Sequence, residues 1–187
     1  MRWILLTLVV STFSFCATRQ AITLTDRHAE TFWEWAPGTA SSSLEDLDPQ
    51  LHAKVNTLIQ QLSTEGYTVE VVTTWRSPMR QLLMYSYSTL RHWAGLGLAS
   101  ASGPRDSCHT RSTPDGTPNS LAIDLRLAEV APLKRHAHFF HRLGALALEQ
   151  ELVWGGHWKR TNAQWRRFNL GWDPGHLELS ICRLTHQ

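Results

Sequence analysis

Hydrophobic positions change period several times along the chain, and each change marks an element. Leu51, Val55, Leu58, Ile59 and Leu62 recur at helical spacing, which predicts a helix capped by Asp48, with Pro49 in its first turn and Gly66 past its end. Tyr67 to Trp75, YTVEVVTTW, is rich in β-branched residues and predicts a strand. That strand runs into Arg76-Ser77-Pro78, where Ser77 can cap a second helix reaching about Trp93. Arg76 thus falls at a strand-to-helix junction, a rigid place to display a guanidinium. Gly95 to Asp106 reads as a loop, and TRSTPDGTPN, Thr110 to Asn119, is turn chemistry throughout. Leu121, Ile123, Leu125 and Leu127 then alternate with Ala122, Asp124 and Arg126, the pattern of a half-buried strand. A helix from Pro132 to about Gln150 follows, with Leu133, Ala137, Phe140, Gly144 and Leu148 near one face. Glu151 to Trp154 starts a strand that Gly155-Gly156 breaks, and past it Leu177, Leu179 and Ile181 alternate with His176, Glu178 and Ser180.

Composition narrows the class. The chain has 187 residues, 42% hydrophobic and 18% charged, enough for one globular domain with a true core and a short appendage. A net charge of +2, mostly arginine, is too mild to argue for nucleic acid but suits an anionic polymer such as cell wall. Nine tryptophans imply either packing or a cleft with flat walls for sugar or peptide. At the N-terminus Arg2 precedes an apolar run from Trp3 to about Val10, fading to Ala17. This is the form of a secretory signal, cleaved after Cys16 or Thr18, and too short for the roughly 20 residues of a spanning helix. The alternative is an uncleaved membrane tether formed by residues 3–17. The expected organisation is a signal or tether over 1–17, an arm over 18–47 carrying Phe32, Trp33 and Trp35, and one domain over 48–187. Cys108 and Cys182 are free to pair in an exported chain, or to remain two buried thiols. The expected protein is exported to the periplasm, cell envelope or exterior, and monomeric.

The candidate chemistry gathers at strand edges. His176 opens the last alternating stretch on its polar side, and Asp173 sits three residues earlier beside Pro174-Gly175, where a turn can fold its carboxylate back. Asp124 occupies the polar side of another predicted strand, and His109 lies upstream of it. Two histidines and one carboxylate would hold a single zinc ion with a fourth position open, the catalytic rather than the structural arrangement. No Cys-x-x-Cys spacing exists for a structural zinc. His136, His138 and His141, on an amphipathic helix with no carboxylate partner, read as structural.

These residues resemble the VanY-like zinc peptidases, the D-alanyl-D-alanine carboxypeptidases and L-alanyl-D-glutamate endopeptidases of bacterial and phage cell-wall enzymes. The family's Tyr-Arg-Ser-Pro junction is matched by Trp75-Arg76-Ser77-Pro78, and its Ser-x-His and Gly-x-Ala-x-Asp elements by Ser107-Cys108-His109 and Ser120-Leu121-Ala122-Ile123-Asp124. Its Trp-Gly-Gly-Asp-Trp and Asp-x-x-His-Phe-Glu elements are matched by Trp154-Gly155-Gly156-His157-Trp158 and Asp173-Pro174-Gly175-His176-Leu177-Glu178. The resemblance covers about residues 50–180. It implies a small α+β domain of hedgehog/DD-peptidase type, with helices on an antiparallel sheet and zinc in a surface groove. It further implies His109, Asp124 and His176 as zinc ligands, Asp173 as general base and acid, and Arg76 as a catalytic and substrate contact. Ser107, Trp154 and Trp158 become candidates for substrate binding, and the peptidoglycan stem peptide the expected partner. Aspartate in the Asp-x-x-His position tilts the activity toward the endolysin-like L-alanyl-D-glutamate endopeptidase, with D-alanyl-D-alanine carboxypeptidase as the alternative. A catalytically silent wall-binding module of the same fold is the alternative of another class.

The match has departures. Fourteen residues separate His109 from Asp124, where the family usually has six. A loop insertion within Arg111 to Pro118 accounts for this. A rival register would put Thr117 in the histidine's place and break the zinc site. Ser120 replaces a glycine, and His157 replaces an aspartate as an expected cleft-wall or supporting residue rather than a fourth ligand.

Overall fold

The computed structural model describes residues 38–94, 101–159 and 163–184. The expected signal or tether and the aromatic residues of the arm, Phe32, Trp33 and Trp35, lie outside the described residues. Within them, no helix is long and apolar enough to cross a membrane.

Helix α1 (Pro49–Thr64) is capped by Asp48, whose carboxylate accepts from the Gln50 N–H at 2.9 Å, and buries Leu51, Val55, Leu58 and Leu62. Strand β1 (Val69–Thr73) follows, then α2 (Pro78–Trp93), capped by Ser77. Next come β2 (Ala122–Leu127), α3 (Leu133–Glu149), β3 (Leu152–Trp154), the short α4 (Ala163–Arg166), β4 (His176–Leu179) and α5 (Ile181–Leu184). The four strands form one antiparallel sheet in the order β1-β2-β4-β3. Helices α1 and α3 pack on it and on each other. Ile123, Leu125, Leu127, Leu177 and Leu179 from the central strands meet Phe139, Phe140, Leu143 and Leu146 of α3 in the main core. This is the expected α+β architecture. It places the two strands that carry Asp124 and His176 side by side in the middle of the sheet.

The patterns needed correction in three places. Leu148 is 50% exposed, because the buried arc of α3 runs through Phe139, Leu143, Leu146 and Ala147 and leaves Leu148 just beyond its edge. Ile181 does not extend the last strand; β4 stops at Leu179, and Ile181 begins α5 half exposed, so that Cys182 turns inward. All of β4 is buried on both faces, since the groove walls cover His176 and Glu178 while the core covers Leu177 and Leu179. In α2, whose pattern had assigned no face, the buried positions are Gln81 and Ser88, and Met79, Leu82, Tyr85, Leu90 and Trp93 face outward. Gln81 donates to the Ser102 carbonyl at 2.8 Å, tying the helix to the groove wall through a polar contact.

Part of the expected arm joins the fold. The Ser41 N–H donates to the Trp75 carbonyl and the Thr74 N–H to the Ser41 carbonyl, at 2.8 and 2.7 Å, and Leu47 is buried in the core.

Candidate metal centre

Asp124 and His176 are direct cross-strand partners in the β2–β4 ladder, so both side chains rise from one face of the sheet. The third group arrives from a 3-10 turn at Cys108–Thr110. The turn is fastened to the end of β1: the Arg76 N–H donates to the His109 carbonyl at 2.9 Å, and His109 Nδ1 lies 2.8 Å from the Thr74 carbonyl. The result is a cluster of one nitrogen from each histidine and the Asp124 carboxylate. His109 Nε2 lies 3.4 Å from His176 Nδ1 and 3.4 Å from Asp124 Oδ2, and His176 Nδ1 lies 2.9 Å from Asp124 Oδ1. Thr117 belongs instead to an exposed hairpin closed by a Ser112–Pro118 bridge and by the Thr113 N–H donating to its carbonyl. The residues inserted between His109 and Asp124 therefore loop out without disturbing the cluster.

These three groups fit a metal ion. Ligand atoms sharing a tetrahedral zinc at bond lengths of about 2.0–2.1 Å stand roughly 3.3 Å apart, close to the separations above. The outer nitrogens fix the tautomers. In the neutral rings His109 Nδ1–H donates to a carbonyl and His176 Nε2–H to the Glu178 carboxylate at 3.0 Å, which leaves the two inner nitrogens, facing one point, as the ligand atoms. Two such nitrogens beside a carboxylate are a donor set for a cation.

Electrostatics agree. Asp124, Asp173 and Glu178 line one groove with the Arg76 guanidinium, leaving an excess of negative charge. Burial opposes the charged form of His176, yet its bonds to Asp124 and Glu178 outweigh this and raise its pKa to about 10, so the metal-free ring carries on Nδ1 a proton that a bound cation would displace. Burial also works against ionising Asp124, but His109 and Arg76 hold its carboxyl well below the ordinary range. His109 is lowered, chiefly by burial. Asp173 is raised to about 6, first by burial and then by the Asp124 charge.

The groove encloses about 470 Å³, and Arg76, Ser107, Trp158 and Asp173 line it with the three cluster residues. Arg76 makes an ion pair with Asp124 and donates to Gln81 Oε1 at 3.4 Å. The Trp158 ring stands 5.1 Å from the His176 ring. Gly155 is needed for the approach of the Asp173 loop: a Cβ there would lie 2.2 Å from the Asp173 carbonyl oxygen.

Two expected positions fall elsewhere. Trp154 does not line the groove; its indole is buried in the core and donates to the Pro174 carbonyl at 2.8 Å, so it props the Asp173–His176 turn from behind. His157 is exposed and packs edge-on to Trp154 at 4.8 Å, outside the groove. Conversely, Glu178, two residues after His176 on the same strand face, is a groove residue to which its place in the sequence assigns no role. Gln81 and Trp172 also line the groove, and nothing in their spacing singled them out.

No family model matches the chain, and neither does any curated protein. Among solved structures, the chain is similar to the LdcB LD-carboxypeptidase, at 14% identity and a TM-score of 0.45, over 74% of this chain and 62% of that one. It thus spans less than two thirds of that protein's length. A mutant of the vancomycin-resistance D,D-pentapeptidase VanY in complex with Zn(II) matches at 11% identity and a TM-score of 0.48, covering 75% of this chain and 79% of that one. VanYB in complex with D-alanine-D-alanine matches at 10% and 0.49, over 75% of each chain. These likenesses are weak, and the chemistry of the site rests on its own geometry.

Proposed function

We propose that the protein is an exported zinc peptidase that hydrolyses a bond of the peptidoglycan stem peptide, L-alanyl-D-glutamate in preference to terminal D-alanyl-D-alanine. The observation that carries the proposal is the convergence of one nitrogen from each of two imidazoles and the Asp124 carboxylate on one point of a groove that also holds a carboxyl with a pKa of about 6. His109, Asp124 and His176 would hold the ion, and zinc in such a site polarises a carbonyl and makes water nucleophilic near neutral pH. The remaining work falls to the chain. Asp173, with a pKa close to the working range, accepts the proton of the attacking water and returns it to the leaving amine. The Arg76 guanidinium, held in place by Asp124 and Gln81, offers positive charge to the developing oxyanion or to a substrate carboxylate. Trp158 and Trp172 give flat walls against which an extended peptide can lie. The choice of bond rests on the aspartate of the Asp-x-x-His element, as in the endolysin-like members of the family the sequence resembles.

The test is mass spectrometry of purified muropeptides incubated with zinc-loaded protein, beside an Asp173→Asn variant and a chelated sample. The expected products are fragments cut between L-alanine and D-glutamate, absent from both controls while the variant keeps its zinc. Release of D-alanine would identify a carboxypeptidase instead. Bound zinc and bound muropeptide with no cleavage in the parent protein would leave a wall-binding module and overturn the proposal.

A further inference from the structure

The mechanism above leaves one buried group without a role, the disulfide between Cys108 and Cys182. We propose that this disulfide is a positioning device for the metal centre, so that the site is complete only in the oxidised chain; the inference rests on the zinc assignment above. Cys108 is the residue next to His109 in the 3-10 turn, and Cys182 lies in α5, directly beyond the strand that carries His176. The bridge spans 74 residues, and all three metal-ligating candidates lie between its ends. With Ala122 the two cysteines form a small cluster separate from the main core. The turn that delivers His109 is therefore held down by the disulfide, by the packing of Leu121 and Ala122 against it and by its polar contacts, rather than by the main core.

A second contact links the same bridge to the other histidine. Cys108 Sγ lies 3.2 Å from Glu178 Oε2, the oxygen that stands 3.0 Å from His176 Nε2. A disulfide sulfur carries no proton, so this oxygen accepts from the imidazole. A thiol in its place is a second donor aimed at the same oxygen, which then shares its charge between the thiol and His176 and holds the ring less strongly. Reduction thus acts on two ligands together: it frees the turn bearing His109 and weakens the hold of Glu178 on the His176 ring. The bonds from His109 to Thr74 and Arg76 survive reduction, so affinity falls without vanishing. A chain in a reducing compartment holds zinc weakly and completes its site once the cysteines pair.

The experiment compares zinc affinity, by competition with a chromophoric chelator, in three full-length samples. These are the oxidised parent, the parent reduced by a water-soluble phosphine, and a Cys108→Ala/Cys182→Ala variant. In the reduction the phosphine gives two electrons to the S–S bond, water supplies two protons and an oxygen, and the products are two thiols and a phosphine oxide. Far-UV circular dichroism is recorded on each sample. The expected result is zinc binding weakened by about tenfold or more in the reduced parent and in the variant, with an unchanged spectrum. Affinities equal to within about twofold, or tighter binding through the freed thiols, would overturn the inference. So would loss of zinc together with loss of helical signal, since the bridge would then serve the whole fold. An oxidised parent that binds no zinc sinks the zinc assignment itself, a result distinct from these.

Discussion

Burial and the Asp124 charge hold Asp173 near pKa 6, against 3.8 for an ordinary aspartate. Between those values the folded protein keeps a proton that the unfolded chain has lost, so stability falls as pH rises through this window. Asp173→Asn removes that loss. Its side chain is half-buried and partly screened, so without added zinc the variant should be more stable than the parent by about 1–2 kcal/mol at pH 7. Urea unfolding at pH 7 and below pH 4 measures this, and the difference should close at the lower pH. In the proposed mechanism the same group would set the acid limb of activity. kcat/KM should rise with pH through a midpoint at or below about 6, a zinc ion nearby pulling it lower. At this scale Asp124 and His176 were legible from alternation and Asp173 from its turn, while His109, in a 3-10 turn outside any alternation, was marked only by the family resemblance; all four line the groove. Trp154 was not legible, because an aromatic beside two glycines reads the same whether it faces substrate or core. Its place is decided by what is missing around it. A Cβ at Gly144 would lie 2.5 Å from its ring and one at Gly156 2.1 Å, and both glycines are meaningful only once the ring is seen between them.

Single elements were readable from period and caps, since Asp48 and Ser77 do cap α1 and α2. The double burial of β4 was not, because the segments that cover its polar face come from far along the chain and leave no local mark. The insertion after His109 shows the opposite case. Its Pro, Asp and Gly content predicted a loop, and Ser112 to Pro118 closes on itself, with Asp115 Oδ1 accepting from the Thr117 N–H at 3.3 Å. An element that satisfies its own backbone can be shortened. Replacing Thr113–Thr117 by a two-residue Asn-Gly turn should leave zinc stoichiometry unchanged and shift the thermal midpoint by no more than about 4 °C, equivalent to under about 1 kcal/mol. Loss of zinc binding in that variant, seen by metal analysis, would mean that the loop shapes the site.

For the molecule as a whole, the metal and the fold share their supports. The three groups proposed as ligands, from a 3-10 turn, β2 and β4, come together only in the native chain, so zinc would bind the folded form alone. At a free concentration 100 times its dissociation constant it should stabilise the protein by about 2.7 kcal/mol. Differential scanning calorimetry with and without zinc checks this; an unchanged midpoint would mean that no preformed site exists. The strand patterns specify which faces are apolar, but not which strands are neighbours. Hence the adjacency of β2 and β4, on which the centre depends, could not be read from the alternation itself. That adjacency also carries a safeguard. Because Asp124 sits directly opposite His176, sliding one of these strands by a single residue would turn its ligand into the leucine layer and push Leu125 or Leu177 out toward the groove. A misaligned chain could not load the ion, so loading certifies that the central pair of strands has been zipped correctly.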